Sequence, residues 1–246
     1  MKLLTKKIAI KVLKLLLKIS VIAVVLSVFA LILAWILFPF PEERLEKWAA
    51  SPTVLDVNDR ELMGIVGLDE HWCRPIPLEE MSPWLVQATI AVEDERFYSH
   101  SGVDTLAVVR ATVQNIAAKR IVSGASTLNM QLCRMMDNRP RSLKAKIIES
   151  FRALQLNQLK SKDDILELYL NAAPYGGNLR GVEAASLKYF GRHAKDLSLG
   201  QAALIAGLPQ SPSRYRPDRH LETALKRRNI VLHRMVEEGM ITEHQL

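Results

Sequence analysis

Several kinds of functional site are missing from this sequence of 246 residues. Its two cysteines, Cys73 and Cys133, are too few and too far apart for a disulfide framework, so we expect free, buried thiols. The sequence has no zinc-ligand spacing, nucleotide-binding loop, dinucleotide fingerprint or Gly-x-Ser-x-Gly elbow. It also lacks internal repeats and low-complexity linkers. These absences argue against zinc enzymes, nucleotide-dependent enzymes and α/β-hydrolases.

The longest uncharged run is Ile19–Phe38, which has twenty residues. This length matches the roughly 30 Å hydrocarbon thickness of a bilayer. The alternative is a cleaved signal peptide, but the run exceeds the usual apolar region of roughly 7–15 residues and no small-x-small cleavage site follows it. We therefore predict a single transmembrane helix.

Lysines on one side of this run predict its orientation. Six lysines precede it, whereas acidic and basic residues are mixed directly after it. The positive-inside rule then places the amino terminus in the cytoplasm and the rest of the chain outside. Without these six lysines the formal net charge of +7 falls to +1, so no basic surface indicates a nucleic-acid partner. The six lysines are Lys2, Lys6, Lys7, Lys11, Lys14 and Lys18.

The remaining chain is predicted to be mainly α-helical after a short β segment. Thr53–Val57 and Leu62–Val66 are β-prone runs separated by Asn58-Asp59, which favours a small hairpin. The predicted parts are a basic tail (1–18), the membrane helix (19–38), a linker with the hairpin (39–81), the main domain (82–220) and a C-terminal helix (221–246).

Helix starts are marked by capping residues and by apolar residues at helical spacing. The predicted N-caps are Ser82, Asp104 and Ser142, and capping boxes are predicted at Ser161–Asp164 and Ser198–Gln201. The helix after Asp104 has apolar residues at spacings of three and four, and the helix after Ser142 has an apolar face that we assign to the core. These residues are Leu106, Val109, Val113 and Ile116 in the first helix, and Ile147, Phe151 and Leu154 in the second.

A first polar cluster spans Ala91–Asp104. Glu93 and Asp94 lie at the end of an apolar helix, where carboxylates are unfavourable, and the aromatic residues Phe97 and Tyr98 follow. An ordinary solvated helix end is one explanation. A partly dry cleft is the other, and there the pKa of a carboxylate rises until it can act as a base near neutral pH.

A second cluster spans Ser123–Arg134. Its glycine and small hydroxyl residues precede a helix, where free backbone N–H groups bind anions, although Ser126 could simply be an N-cap. Basic residues follow, and they favour phosphate. Lys146 and Glu149 could instead form a surface ion pair. The basic residues are Arg134, Arg139, Arg141, Lys144 and Lys146.

Five blocks in order, from about Pro83 to Pro217, resemble the glycosyltransferase module of class A penicillin-binding proteins and monofunctional peptidoglycan transglycosylases. The fourth block contains Asn-Ala-Ala-Pro-Tyr-Gly-Gly and is most similar to the penicillin-binding protein 1C branch. The blocks are Glu93-Asp94-x-x-Phe97-x-x-His100-x-Gly102, Gly124–Gln131, Lys146-x-x-Glu149, Glu167–Gly191 and Ala202–Pro217.

The resemblance implies a lysozyme-like α-helical domain outside a bacterial inner membrane, acting on lipid II and the nascent glycan strand. It implies that Glu93 is the general base and that Glu149 is the second catalytic carboxylate. Arg134, Arg141 and Lys146 would contact the departing diphosphate, with Mg²⁺ or Mn²⁺ as a conceivable helper. The implied substrate-binding residues are Asp94, Phe97, His100, Gly102, Ser126, Thr127, Gln131, Arg134, Arg141, Lys146 and Asn171.

Some positions depart from the family pattern. They motivate two alternatives: a catalytically weakened membrane module that binds lipid II or division partners, and a lysozyme-like hydrolase. Bifunctional members also have a transpeptidase domain with a Ser-x-x-Lys nucleophile, and that motif is absent here. We therefore expect no transpeptidase activity from this chain, which is either monofunctional or a truncated bifunctional protein. The departures are Ala125, Asn129, Met130, Ala145 and Gln201.

Overall fold

The structure is a computed structural model that describes residues 2–47, 50–67, 70–120, 124–137, 140 and 142–246. It divides into two units, residues 1–41 and residues 42–246. The first unit contains helix α1 (Lys2–Leu37), within which Lys14–Leu37 is long and apolar enough to cross a bilayer, with a mean hydropathy of 2.9. The helix begins well before the uncharged run, so the predicted basic tail is helical and continuous with the predicted span.

The second unit starts with a short 3-10 helix (Glu42–Lys47) and the predicted hairpin. Strands β1 (Thr53–Leu55) and β2 (Glu61–Gly64) pair in antiparallel fashion and are shorter than the sequence suggested. In the turn between them, Asp56 accepts hydrogen bonds from the backbone N–H groups of residues 58 and 60. The local sequence was therefore sufficient to predict this hairpin.

A three-stranded sheet attaches the end of the predicted linker to the helical domain. Strand β3 (Trp72–Cys73) runs parallel to β5 (Leu179–Arg180), which pairs antiparallel with β4 (Pro174–Gly176). A few residues later, the N–H of Leu78 donates to Glu167 Oε2 at 2.8 Å. Residues 72–81 are thus part of the domain rather than a free linker.

In the described part of the second unit, eight helices make up most of the structure, and they confirm a mainly α fold. They are α2 (Pro83–Glu93), α3 (Thr105–Ala118), α4 (Leu128–Asp137), α5 (Leu143–Leu159), α6 (Lys162–Ala172), α7 (Val182–Phe190), α8 (Leu199–Gly207) and α9 (Leu221–Glu237). Shorter 3-10 helices are Leu78–Glu80, Ala194–Asp196 and Glu243–Gln245.

Most of the predicted caps are present. Asp104 accepts from the N–H of residue 107, Ser142 accepts from the N–H of residue 145, and Ser161 and Asp164 form a capping box. The Gln201 side chain accepts from the Ser198 N–H. Ser82 precedes α2 as predicted, but its hydroxyl donates to the Leu197 carbonyl instead of capping the helix. The local sequence therefore predicted where the helices begin. It did not predict the hydrogen-bond partner of the Ser82 hydroxyl.

The core lies where α2 packs against α8 and α9, and where α4 packs against α5 and α6. Leu85, Leu170 and Ile205 are fully buried there. Cys73 and Cys133 are buried thiols that are not joined in a disulfide, as predicted.

Two predicted apolar faces do not face this core. All four apolar residues of the α3 stripe are exposed, and Ala111 is the buried residue of that helix. In α5, Ile147 and Leu154 are exposed, while small or polar residues such as Ala153 and Glu149 are buried. Helical spacing places apolar residues on one side of a helix, but the tertiary contacts of α3 and α5 determine which side faces inward. The core assignment of the α5 face is therefore wrong for these two residues.

Candidate active site

Helix α4 connects two buried or half-buried carboxylates. Gln131 donates from Nε2 to Glu93 Oε2 at 2.8 Å. Arg134 donates from Nε and Nη2 to the two oxygens of Glu149, at 2.9 and 2.7 Å. Because residues three apart lie on the same face of a helix, α4 brings both carboxylates to one side, about one turn apart.

Glu93 is half-buried at the end of α2. Burial raises the pKa of Glu93, the hydrogen bond from Gln131 and the charge of Arg227 oppose the rise, and the charge of Asp94 adds to it. Among the described residues, its carboxylate makes no hydrogen bond besides that from Gln131. The remaining oxygen, Oε1, is thus available to accept a proton from a ligand. The dry-cleft interpretation of this cluster agrees with the geometry, and the solvated helix end does not.

Asp94 makes more hydrogen bonds within the protein than its neighbour Glu93 does. One carboxylate oxygen accepts from the Leu128 N–H at 3.0 Å, and both oxygens lie 3.0 Å from His100 Nε2. Gly102 N–H donates to His100 Nδ1 at 3.1 Å, so Nδ1 is the acceptor and Nε2 carries the proton donated to Asp94. Asp94 and His100 therefore join the end of α2 to the start of α4.

The start of α4 is partly occupied by contacts within the protein. Thr127, rather than Ser126, is its cap, since Thr127 Oγ1 accepts from the Met130 N–H at 3.2 Å and donates to the Gly102 carbonyl at 2.6 Å. The N–H of Leu128 is bonded to Asp94. The N–H groups of residues 128 and 130 are thus used by the protein itself. The phosphate site predicted at this helix start stays a prediction.

Two further residues of the first block are packed rather than presented to a ligand. Phe97 is fully buried, and the Lys162 ammonium lies 4.5 Å from the centre of its ring. Gly102 has φ +102°, and a Cβ added there would lie 2.3 Å from the Ala153 carbonyl oxygen. Phe97 and Gly102 therefore support the site from behind.

A polar cavity of about 190 Å³ lies in front of Glu93. Its wall includes Ser126 and two arginines from distant parts of the chain, Arg110 and Arg234. Both arginines bond to Glu95, at 2.7 and 2.8 Å, and the hydrogen bond from Arg110 is the main reason why the pKa of Glu95 is lowered. Sequence reasoning missed these three residues, because nothing local links residues 95, 110 and 234.

The predicted diphosphate contacts are only partly described. Arg134 is paired with Glu149, and Lys146 is half-buried and forms no ion pair with Glu149. Arg139 and Arg141 lie outside the described residues. Asn171 is occupied elsewhere: its amide donates to the Ile76 carbonyl at 2.8 Å and accepts from the Ile76 N–H at 3.1 Å. This side chain therefore holds residue 76 and does not face the two carboxylates' partners on α4.

The described residues do not fit a metal held by the protein. Glu149 uses both oxygens for Arg134, and no group of three or more His, Cys, Asp or Glu side chains in the described ranges could hold an ion. We therefore derive no chemical step through the predicted Mg²⁺ or Mn²⁺.

Comparisons with known proteins match this chain to one family. A sequence profile of the transglycosylase family matches residues 59–236. Penicillin-binding protein 1C of Escherichia coli (strain K12) is 41% identical over 210 residues, which cover 85% of this chain and 27% of that protein. Penicillin-binding protein 1A of Aquifex aeolicus (strain VF5) is 38% identical over 235 residues, covering 92% of this chain and 32% of that protein.

Among solved structures, penicillin-binding protein 1A from Haemophilus influenzae aligns with a TM-score of 0.46 at 23% identity, covering 80% of this chain and 20% of that one. The chain spans about a quarter to a third of the length of the two curated relatives above.

Proposed function

Since this chain belongs to the transglycosylase family, we propose that it is a peptidoglycan glycosyltransferase that polymerises lipid II into β-1,4-linked glycan strands. The observation that carries the proposal is the state of Glu93, a half-buried carboxylate beside a polar cavity, with a raised pKa and one free oxygen. A carboxylate in that state is suited to general-base catalysis near neutral pH.

In the proposed reaction, Glu93 takes the proton from the 4-hydroxyl of the acceptor sugar. That oxygen forms a bond to the anomeric carbon of the growing chain, and the bond from this carbon to the diphosphate breaks. Undecaprenyl diphosphate leaves with the electron pair, and a single displacement inverts the α-linked donor to a β-linked product. The leaving group is already a stable anion, so it needs positive charge rather than a protonating acid.

We assign that positive charge to Arg134, Lys146 and Arg141. Glu149 bonds Nε and Nη2 of Arg134, and Nη1 makes no hydrogen bond within the described part of the chain. The bidentate pair thus fixes the guanidinium plane and leaves one nitrogen for an incoming oxyanion. In this proposal Glu149 acts by orienting Arg134, and the diphosphate is bound by the cations around it.

The alternative of a non-catalytic module rests on departures from the family pattern, and the positions of three of them weaken it. Met130 and Ala145 are buried, so these substitutions alter packing rather than the surface of the cavity. Asn129 is also fully buried, and neither of its side-chain polar atoms has a hydrogen-bond partner. Such a group costs stability, about 1–3 kcal/mol, without removing a catalytic atom.

The proposed setting is the outer face of a bacterial inner membrane, with the amino terminus in the cytoplasm. Its support is the lysine-rich start of α1 and the apolar segment Lys14–Leu37. Lipid II and the nascent strand are the proposed partners, and both would be reached from the membrane surface.

The decisive experiment is polymerisation of lipid II by Glu93→Gln, followed as product length and rate. The amide keeps the size and polarity of the side chain but cannot accept the proton, so the rate should fall about 10²–10⁴-fold while lipid II binding persists. Glu222→Gln makes the same change at an exposed position of α9 and should polymerise normally. A folded Glu93→Gln protein that polymerises at the wild-type rate would refute the assignment, and a wild type that binds lipid II without extending it would favour the binding module.

A further inference from the structure

Helix α9 directs two arginines towards the end of α2. Arg227 and Arg234 are seven residues apart, or about two turns, so they share a face of the helix. Arg234 donates from Nη2 to Glu95 Oε2 at 2.8 Å, two residues beyond Glu93. That contact fixes the face of α9 that carries Arg227 against the segment containing Glu93, in agreement with the packing of α2 on α9.

Arg227 is buried and rigidly held. Its Nε donates to the Gly207 carbonyl at 3.2 Å, and its guanidinium carbon lies 5.8 Å from the centre of the Tyr215 ring. Gly207 leaves room for it, because a Cβ there would lie 2.9 Å from Arg227 Cγ. Within the described ranges Arg227 has no carboxylate within 4.0 Å. It is therefore a fixed cation whose charge is not neutralised by a direct ion pair.

A buried cation of this kind acts on the nearest ionisable group of opposite sign. The charge of Arg227 lowers the pKa of Glu93, and the charge of Glu93 in turn raises that of Arg227, whose pKa is otherwise lowered by burial. The two arginines of the cavity wall, Arg110 and Arg234, are bonded to Glu95 instead. Arg227 is therefore the arginine whose charge acts on Glu93.

Other groups around Glu93 also change its pKa, some in the same direction as Arg227 and some in the opposite direction. Asp94 raises the pKa of Glu93, Gln131 lowers it through a hydrogen bond, and two buried tyrosines stay neutral because burial and the charge of Glu93 raise their own pKa values. Helix α8 carries no ionisable side chain. Asp104 is paired with Arg96, and Arg134 with Glu149. The two tyrosines are Tyr169 and Tyr175.

We propose that Arg227 is a positioning residue that keeps Glu93 ionised, and therefore competent as a base, in an otherwise proton-favouring cavity. This inference rests on the proposed function, because it requires Glu93 to be the base. It assigns a role in the reaction to a residue of the C-terminal helix that makes no direct bond to Glu93.

The test is the pH dependence of kcat for lipid II polymerisation by the full chain. A base with a raised pKa gives a rate that falls on the acidic side as it becomes protonated. Arg227→Met removes the charge at similar length, so protonation of Glu93 should begin at higher pH and the acidic limb should move up by about one pH unit. At higher pH kcat should approach the wild-type value, and KM should change less than kcat. Arg228→Met, on the next residue of α9, should leave the limb in place because Arg228 bonds to Asn229 instead.

A purely structural role for Arg227 predicts a different result, a loss of activity that is equal at all pH values. An unmoved limb in a folded Arg227→Met protein would overturn the proposal. Arg227→Lys restores a cation and should return the limb to within about 0.3 pH unit of wild type. Arg227→Gln is a second variant without the charge. If neither Arg227→Met nor Arg227→Gln folds, Arg227→Lys is the deciding variant, and an acidic limb displaced by about one pH unit in it would contradict the proposal. Glu93→Gln separates the two hypotheses: activity there refutes the proposed function, whereas an inactive Glu93→Gln with an unmoved Arg227→Met limb refutes this inference alone.

Discussion

Helix α4 holds two carboxylates by two different means. Glu93 receives one hydrogen bond from the neutral amide of Gln131, whereas Glu149 receives two from the guanidinium of Arg134. The neutral partner leaves Glu93 with a raised pKa and a free oxygen, while the charged partner occupies both oxygens of Glu149. Two glutamates in the same site thus differ in their surroundings, and the proposed function assigns proton acceptance to Glu93 and the orientation of Arg134 to Glu149.

The difference lies in the residues of α4 rather than in the carboxylates themselves. Glu149 is the more deeply buried of the two. Burial alone would therefore favour Glu149 as the base, whereas the proposed function assigns that role to Glu93. What distinguishes the two is whether burial is compensated by a full opposite charge in direct contact.

The largest expected effect is on the stability of Glu149→Gln. Removing one charge of a buried pair leaves Arg134 uncompensated, and the free energy of unfolding should fall by about 3 kcal/mol. Chemical denaturation measures this value. Asp218→Asn breaks the more exposed pair with Arg216 and should cost less than about 1 kcal/mol. Equal losses in both variants would mean that the Glu149 pair is an ordinary surface contact, and the comparison with Glu93 would fail.

The helix framework around Glu93 could be predicted from the sequence, because it depends on local patterns. The role of Glu93 followed from the family resemblance instead, and it stays a prediction. Caps such as Asp104 and Ser142 act within one turn, and so their prediction needed no tertiary information. The burial of α3 and α5 could not be predicted in the same way. Their apolar spacing is helical, but the packing of other helices determines which face is covered.

Long-range contacts account for the missing parts of the site. Arg110, Arg227 and Arg234 read in the sequence as ordinary helical surface charges, and only the fold brings them to the segment after α2. The contacts at the start of α4 were missed for a related reason. The N–H of Leu128 donates to Asp94, which lies 34 positions away in sequence, and the N–H of Met130 donates to Thr127. A pattern of small residues at a helix start does not show which of its N–H groups the protein itself uses.

The second expected effect is on the stability of Glu93→Gln. It is smaller than the effect of Glu149→Gln and opposite in sign. Glu93 has a raised pKa in the folded state, so wild-type stability is fully present below the ordinary value of 4.5 and is lost as pH rises through the raised value. Glu93→Gln does not titrate and escapes this loss. At neutral pH it should therefore be more stable than wild type, and the difference should vanish below pH 4.5.

Denaturation of wild type and Glu93→Gln at neutral pH and near pH 4 checks this sign. The same chemical change should stabilise the protein at residue 93 and destabilise it at residue 149. This result would establish that the site disfavours the charge of Glu93 and stabilises that of Glu149. A loss of stability in Glu93→Gln at neutral pH would contradict the raised pKa and with it the distinction between the two.

The smallest effect concerns the neutral partner itself. Gln131→Met removes the hydrogen bond that lowers the pKa of Glu93, so the acidic limb of the kcat profile should move to higher pH by about 0.7 unit, since a neutral hydrogen bond contributes about 1 kcal/mol. Gln155→Met makes the same substitution on α5, where the glutamine accepts from Arg152, and should leave the limb unchanged even if stability falls. A limb that moves downward in Gln131→Met would mean that the amide stabilises the protonated form of Glu93. In that case Gln131 would make Glu93 a poorer base at a given pH. The difference between Glu93 with Gln131 and Glu149 with Arg134 would then need another cause.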